Sequence, residues 1–170
     1  MNMTAHLKTL LTMGVLAVMV LFGSTWGWSA LTSPFPQKAP SKVCLQTAVQ
    51  PGDRVSAPQV TVSVFNASTR VGLAERTMAN FQDMGFGAGN VGNAPKGASV
   101  TFAQVWTSKR NNPAVQLVVS RLGPRARIVH QHHKGPGVIV VVGSSFDKLV
   151  AGRSSVKVTT PAHICSPPSP

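Results

Sequence analysis

The clearest alternation of apolar and polar positions lies in residues 60–86, where Val60, Val62 and Val64 alternate with Thr61, Ser63 and Phe65 and predict a strand. The run stops at Asn66, Ala67, Ser68 and Thr69, a cluster that ends a strand and caps a helix. From Val71 the period lengthens. Val71, Ala74, Met78 and Phe81 recur at helical spacing, with Leu73 and Met84 offset, while Glu75, Arg76, Asn80 and Asp83 take the opposite face. Gly85 is the expected stop.

The same reading continues along the chain. A short strand is expected at residues 88–91 and a clear one at residues 99–106. Asn112 can cap a second helix with Pro113 in its first position, and Ala114, Val115, Val118, Val119 and Leu122 form its stripe up to Gly123 and Pro124. Residues 125–130 predict a strand, residues 135–137 a turn, and residues 138–142 a strand too apolar for an edge, hence mid-sheet. Residues 156–159 could add a short edge. The order β-α-β-β-α-β-β predicts an α+β fold, with two helices packed on one face of a small mixed sheet in the style of ferredoxin-like halves. The second face of that sheet should then be polar or a contact surface.

Residues 10–31 carry no charge, and 22 helical positions would span about 33 Å, close to the hydrocarbon thickness of a bilayer. A transmembrane helix is the expectation, with Lys8 before it and Trp26 and Trp28 at its far end; a cleaved signal peptide is the alternative. Five prolines between Ser33 and Pro58 then predict an extended stalk. The expected organisation is a short cytoplasmic N-terminus (residues 1–9), a transmembrane helix (10–31), a Pro-rich extracytoplasmic stalk (32–58), a domain (59–160) and a Pro-rich tail (161–170).

Charge narrows the partners. Sixteen Lys and Arg against four acids give a net charge of +12, which attracts anionic partners such as nucleic acid, anionic lipid or anionic wall polymer. Cys44 and Cys165 flank the whole domain, so a zinc knuckle or a Cys-x-x-Cys redox pair is excluded. A disulfide between them is the preferred reading, with free or intermolecular thiols as the alternative.

The remaining motifs carry little chemistry. His130, His132 and His133 beside Lys134 resemble a metal cluster, but no carboxylate or cysteine is close in sequence to complete it, so a solvated loop is expected and no metal. Residues 87–92 match the G-x-G-x-x-G dinucleotide fingerprint, yet they follow a helix instead of preceding one, so no nucleotide cofactor is expected. Asp53, Glu75, Asp83 and Asp147 are too scattered to pair, and no nucleophile elbow or Walker A sequence occurs, which predicts a protein without enzymatic activity. The candidate ligand or partner contact is the strand-to-helix turn with Asn66, Ser68, Thr69 and Arg70, where a helix N-terminus favours an anion; ordinary capping is the competing account.

The strand, the Asn66 turn, Gly72-Leu73-Ala74, the amphipathic helix, Gly85-Phe86, then Val91 and Asn93-Ala94, resemble the LytR C-terminal domain family of bacterial envelope proteins. Less strictly, so does the hydrophobic strand at residues 138–146 with its glycine and aromatic ending. The resemblance implies a domain outside the cytoplasmic membrane that has no catalytic motif and works beside LytR-CpsA-Psr phosphotransferases. The family's attenuator label does not by itself imply DNA binding. The expected function is a non-enzymatic, single-pass membrane protein with its C-terminal domain extracytoplasmic. It would support cell-envelope integrity or wall-polymer assembly by binding a LytR-CpsA-Psr-type ligase or the anionic polymer itself. A basic nucleic-acid-binding regulator is the alternative, resting on charge alone.

Overall fold

The computed structural model describes residues 11–24, 44–132 and 135–168. The chain divides into two units, Met1–Ala39 and Pro40–Pro170. In the first, residues 11–24 form helix α1, whose Leu, Met, Val and Phe side chains are all exposed. Its 14 residues would span about 21 Å. No helix among the described residues is long and apolar enough to cross a membrane. Leu10 and residues 25–31 of the expected span lie outside the described residues, as does the stalk up to residue 43.

The second unit is α+β. Its main sheet has five strands in the order β4-β3-β7-β5-β6: β3 Thr61–Asn66, β4 Gly87–Asn93, β5 Ala103–Trp106, β6 Arg127–Val129 and β7 Val138–Val142. Helix α2, Leu73–Asp83, links β3 to β4, and α3, Pro113–Leu122, links β5 to β6. The strand and helix order within this sheet is therefore the expected β-α-β-β-α-β-β. Its pairing is not ferredoxin-like. Each helix crosses over between parallel neighbours, β3 with β4 and β5 with β6, because a parallel pair needs a connection long enough to return to the same end. The final strand β7 inserts in the middle, parallel to β3 and antiparallel to β5. Its five residues are buried on both faces, as the unbroken apolar run predicts.

Both helices lie on one face. Val62, Val64, Val105, Val138, Val140 and Val142 turn toward Leu73, Met78 and Phe81 of α2 and toward Val115, Leu117, Val118 and Leu122 of α3 in one core. Phe81 also meets Phe86 edge-to-face at 5.3 Å, just past Gly85, whose φ of 84° ends the helix. The opposite face departs from the expectation of a polar or contact surface, since the chain covers it itself. Phe65, Val100, Trp106, Ile139 and Val141 build a second apolar cluster there, capped by Ala94 and Ala98 of the β4–β5 connection. Strand β5 begins four residues later than residue 99, because residues 101 and 102 instead accept hydrogen bonds from Ser145 and Gly143 beyond the end of β7.

A 3-10 turn and two outer ribbons fall outside the expected picture. A 3-10 turn at Ala57–Gln59 precedes β3, so the described residues hold three α-helices and this short piece. Strand β1, Leu45–Val49, pairs antiparallel with β9, Ala162–Ser166, and β2, Arg54–Ser56, pairs antiparallel with β8, Ser155–Lys157. The described part of the span read as stalk thus holds β1 and β2, and that of the span read as tail holds β9. Val49, Val55, Val156, Val158 and Ile164 bury themselves in the helix-side core, and this burial holds the ribbons in place. Of the expected edge at residues 156–159, Val156 and Lys157 pair with β2 and not with the main sheet.

Candidate functional site

Geometry first separates the residues proposed from sequence. The Asn66 carboxamide builds an Asx turn: its Oδ1 accepts from the Ser68 N–H at 2.8 Å and the Ser68 hydroxyl at 2.7 Å, and its Nδ2 donates to the Arg70 carbonyl at 2.7 Å. The Ser68 hydroxyl in turn accepts from the Arg70 N–H. Helix α2 starts later than this cluster. Its N-cap is Gly72, which makes no side-chain cap hydrogen bond, so Asn66, Ser68, Thr69 and Arg70 do not cap it. Arg70 therefore precedes the helix, and its guanidinium donates to the carbonyls of Ser144 at 3.1 Å and Phe146 at 2.5 Å. Its charge is spent across two loops, tying the β3–α2 turn to the segment after β7. Thr69 is exposed.

The glycine run of residues 87–92 is strand β4. Its register against β3 shifts between Val62 and Val64, which marks a bulge. At that bulge the Asn90 N–H donates to the Ser63 hydroxyl at 3.0 Å, and a Cβ on Gly89 would collide with the same hydroxyl. Close backbone approach explains the glycine, and no helix N-terminus follows to receive a pyrophosphate.

A basic cavity lies elsewhere, at the opposite end of the sheet. It measures about 580 Å3 and is lined by residues 108–112 of the β5–α3 loop, by His130 after β6 and by residues 160–163 leading into β9. Lys109, Arg110, His130 and His163 line it and no carboxylate does. Asn112 organises this region. Its Oδ1 caps α3 by accepting from the Ala114 N–H at 3.0 Å, and its Nδ2 donates to the His163 carbonyl at 2.8 Å. The positive end of α3 thus points at the same region. A smaller cavity of about 250 Å3 shares Lys109, Asn112 and His163 and reaches Trp106 and the Cys44–Cys165 bridge. The bridge is formed, with Cα atoms 5.3 Å apart, and Cys165 lies two residues from His163 in β9.

A second basic recess, about 490 Å3, flanks the other end of β6 with Arg125, Arg127 and Gln104 in its wall. Arg125 lies over the Phe102 ring at 4.3 Å, a cation–π contact that leaves its charge at the surface. The acids are placed apart from both. Glu75 and Asp83 belong to α2, Asp83 and Asp147 line small recesses beside that helix, and the Asp53 carboxylate accepts from the Gln50 N–H at 2.8 Å.

Among the described residues no three His, Cys, Asp or Glu side chains gather to hold a metal. His130 and His132 rings lie edge to face at 6.3 Å, and His133 and Lys134 lie outside the described residues. Sequence reading found His130 but missed Lys109, Arg110 and His163 as a group. One signal was present: no acid occurs between Asp83 and Asp147.

No curated protein matches the chain. Among solved structures, the soluble domain of a conserved hypothetical secreted protein from Mycobacterium marinum is similar at 21% identity, covering 61% of this chain and 79% of that one with a TM-score of 0.48. The family model described as LytR cell envelope-related transcriptional attenuator matches residues 59–146, just over half of the sequence. The chain belongs to that LytR_C family.

Proposed function

We propose that this chain is a non-enzymatic, single-pass membrane protein whose disulfide-closed domain lies outside the cytoplasmic membrane. There it supports envelope integrity or wall-polymer assembly by engaging an anionic wall polymer or the LytR-CpsA-Psr-type ligase that handles one. The observation that carries this reading is the cavity lined by Lys109, Arg110, His130 and His163 without a carboxylate, in a family related to the cell envelope. Two features support the location. The Cys44–Cys165 bridge suits an oxidising compartment, and α1 exposes an unbroken set of apolar side chains that hydrocarbon would solvate better than water. No family feature names a reaction, and the basic cavity offers no acid to pair with its imidazoles. In this account the contact lies at the basic cavity, while Arg70, held by the Asn66 and Ser68 turn, ties down the segment after β7.

Cosedimentation tests the reading. The full chain in neutral detergent should pellet with purified cell walls and stay in solution once their anionic polymers are chemically stripped. Equal pelleting with stripped walls would sink the polymer contact and leave the ligase as the partner. Protease added to intact spheroplasts should also cut the domain; protection would favour a cytoplasmic nucleic-acid binder.

A further inference from the structure

Strand β6 is an edge of the main sheet, and it runs between the two basic recesses. Arg125 and Arg127 stand at its start and His130 just after its end, where Lys109, Arg110 and His163 take over. At about 3.3 Å per strand residue, Arg127 and His130 are separated by roughly 10 Å along the edge. A single phosphate or carboxylate cannot touch both recesses. A chain bearing repeated anions can.

Resting on the wall-polymer reading, we propose that the β6 edge is a track for a linear, phosphate-bearing polymer, which places one anionic group in the Lys109 and Arg110 cavity and another at Arg125 and Arg127. Three observations converge on it. Neither cavity is lined by a carboxylate, whereas both carboxylates found in cavity walls, Asp83 and Asp147, lie beside α2. The Lys109 and Arg110 cavity has a fixed frame, because Asn112 joins the N-terminus of α3 to β9 and the disulfide holds β9 to the chain before β1. Polar groups that suit sugar or polyol hydroxyls line the same wall, among them Ser108, Asn111 and Thr160. Nucleic acid fits this track less well, since the Phe102 ring is already covered by Arg125 and no Phe, Trp or Tyr lines the larger cavity for base stacking.

The experiment compares full-length chain, in neutral detergent, against three probes: inorganic polyphosphate, inorganic phosphate and single-stranded DNA of matched charge. Polyphosphate should bind at least tenfold more tightly than phosphate at equal phosphate concentration, and more tightly than DNA. K109E/R110E and R125E/R127E should each weaken polyphosphate binding tenfold or more. R76E/K148E, which alters the net charge equally but beside α2, should change it less than twofold. The milder K109Q/R110Q pair, tested with circular dichroism alongside, guards against misfolding. Equal losses in all three reversed pairs would reduce the effect to net charge and overturn the track. So would phosphate binding as well as polyphosphate, or DNA binding as tightly. If the track fails while walls still retain the protein, only the location of the contact is lost.

Discussion

The side-chain amide of Asn112 joins two elements 51 residues apart, with Nδ2 donating to the His163 carbonyl at 2.8 Å while Oδ1 caps α3 through the Ala114 N–H. The residue that starts a helix thereby also fixes one wall of the basic cavity. Asn112→Ala should lose both bonds and cost about 1–2 kcal/mol in denaturant unfolding. Asn112→Asp keeps an oxygen for the cap but loses the donor and adds a negative charge. It should unfold less easily than the alanine variant yet bind polyanion more weakly. Equal stability of all three proteins would contradict this role.

Closing a loop of 121 residues removes, in the chain-entropy model, about 5 kcal/mol of freedom from the unfolded chain. Cys44→Ser with Cys165→Ser should therefore lower the thermal midpoint clearly, and reductant should do the same to the wild type but not to the variant. Because β9 carries His163, polymer binding should fall with the bridge. Unchanged binding after reduction would show that the cavity does not need it.

Arg70→Met removes two charged hydrogen bonds and leaves the carbonyls of Ser144 and Phe146 without that donor. Since Arg70 is exposed, the expected loss is modest, about 1–2 kcal/mol in urea unfolding, with wall binding unchanged. A variant that stays stable but no longer binds walls would restore the turn of Asn66, Ser68 and Thr69 as the contact.

The order of strands and helices along the chain was legible in the sequence, though not their pairing in the sheet, because each element of the main sheet carries its own local signal. Val60, Val62 and Val64 alternate, Asn112-Pro113 announces a helix, and residues 138–142 admit only a central place. The outer ribbons carry no such signal. Strand β1 buries Val49 alone, and β9 buries Ile164 and Cys165, so their stability comes from partners more than a hundred residues away. Prolines around them argued for open chain, and the long-range pairing overrode that preference. The basic cavity was hidden for the same reason. Its walls come from residues 108–112, 130 and 160–163, which meet only through the parallel pairing of β5 with β6, the Asn112 bond and the disulfide-closed ribbon.

Gly89→Ala offers a check on the glycine run. The added methyl would collide with the Ser63 hydroxyl, which already donates to the Pro136 carbonyl at 2.6 Å, so the bulge must shift at a cost of about 1–3 kcal/mol. A thermal midpoint equal to wild type would mean that β4 does not pack this closely on β3.

Whether the cavity around Lys109 and Arg110 contacts an anionic wall polymer can be read in living cells. A photo-crosslinking residue in place of Asn111, which lines that cavity, is compared with one in place of Arg76 on α2. Phosphate-bearing glycan should attach at position 111 and little at position 76. Equal glycan attachment at both positions, or nucleic acid alone at position 111, would contradict it.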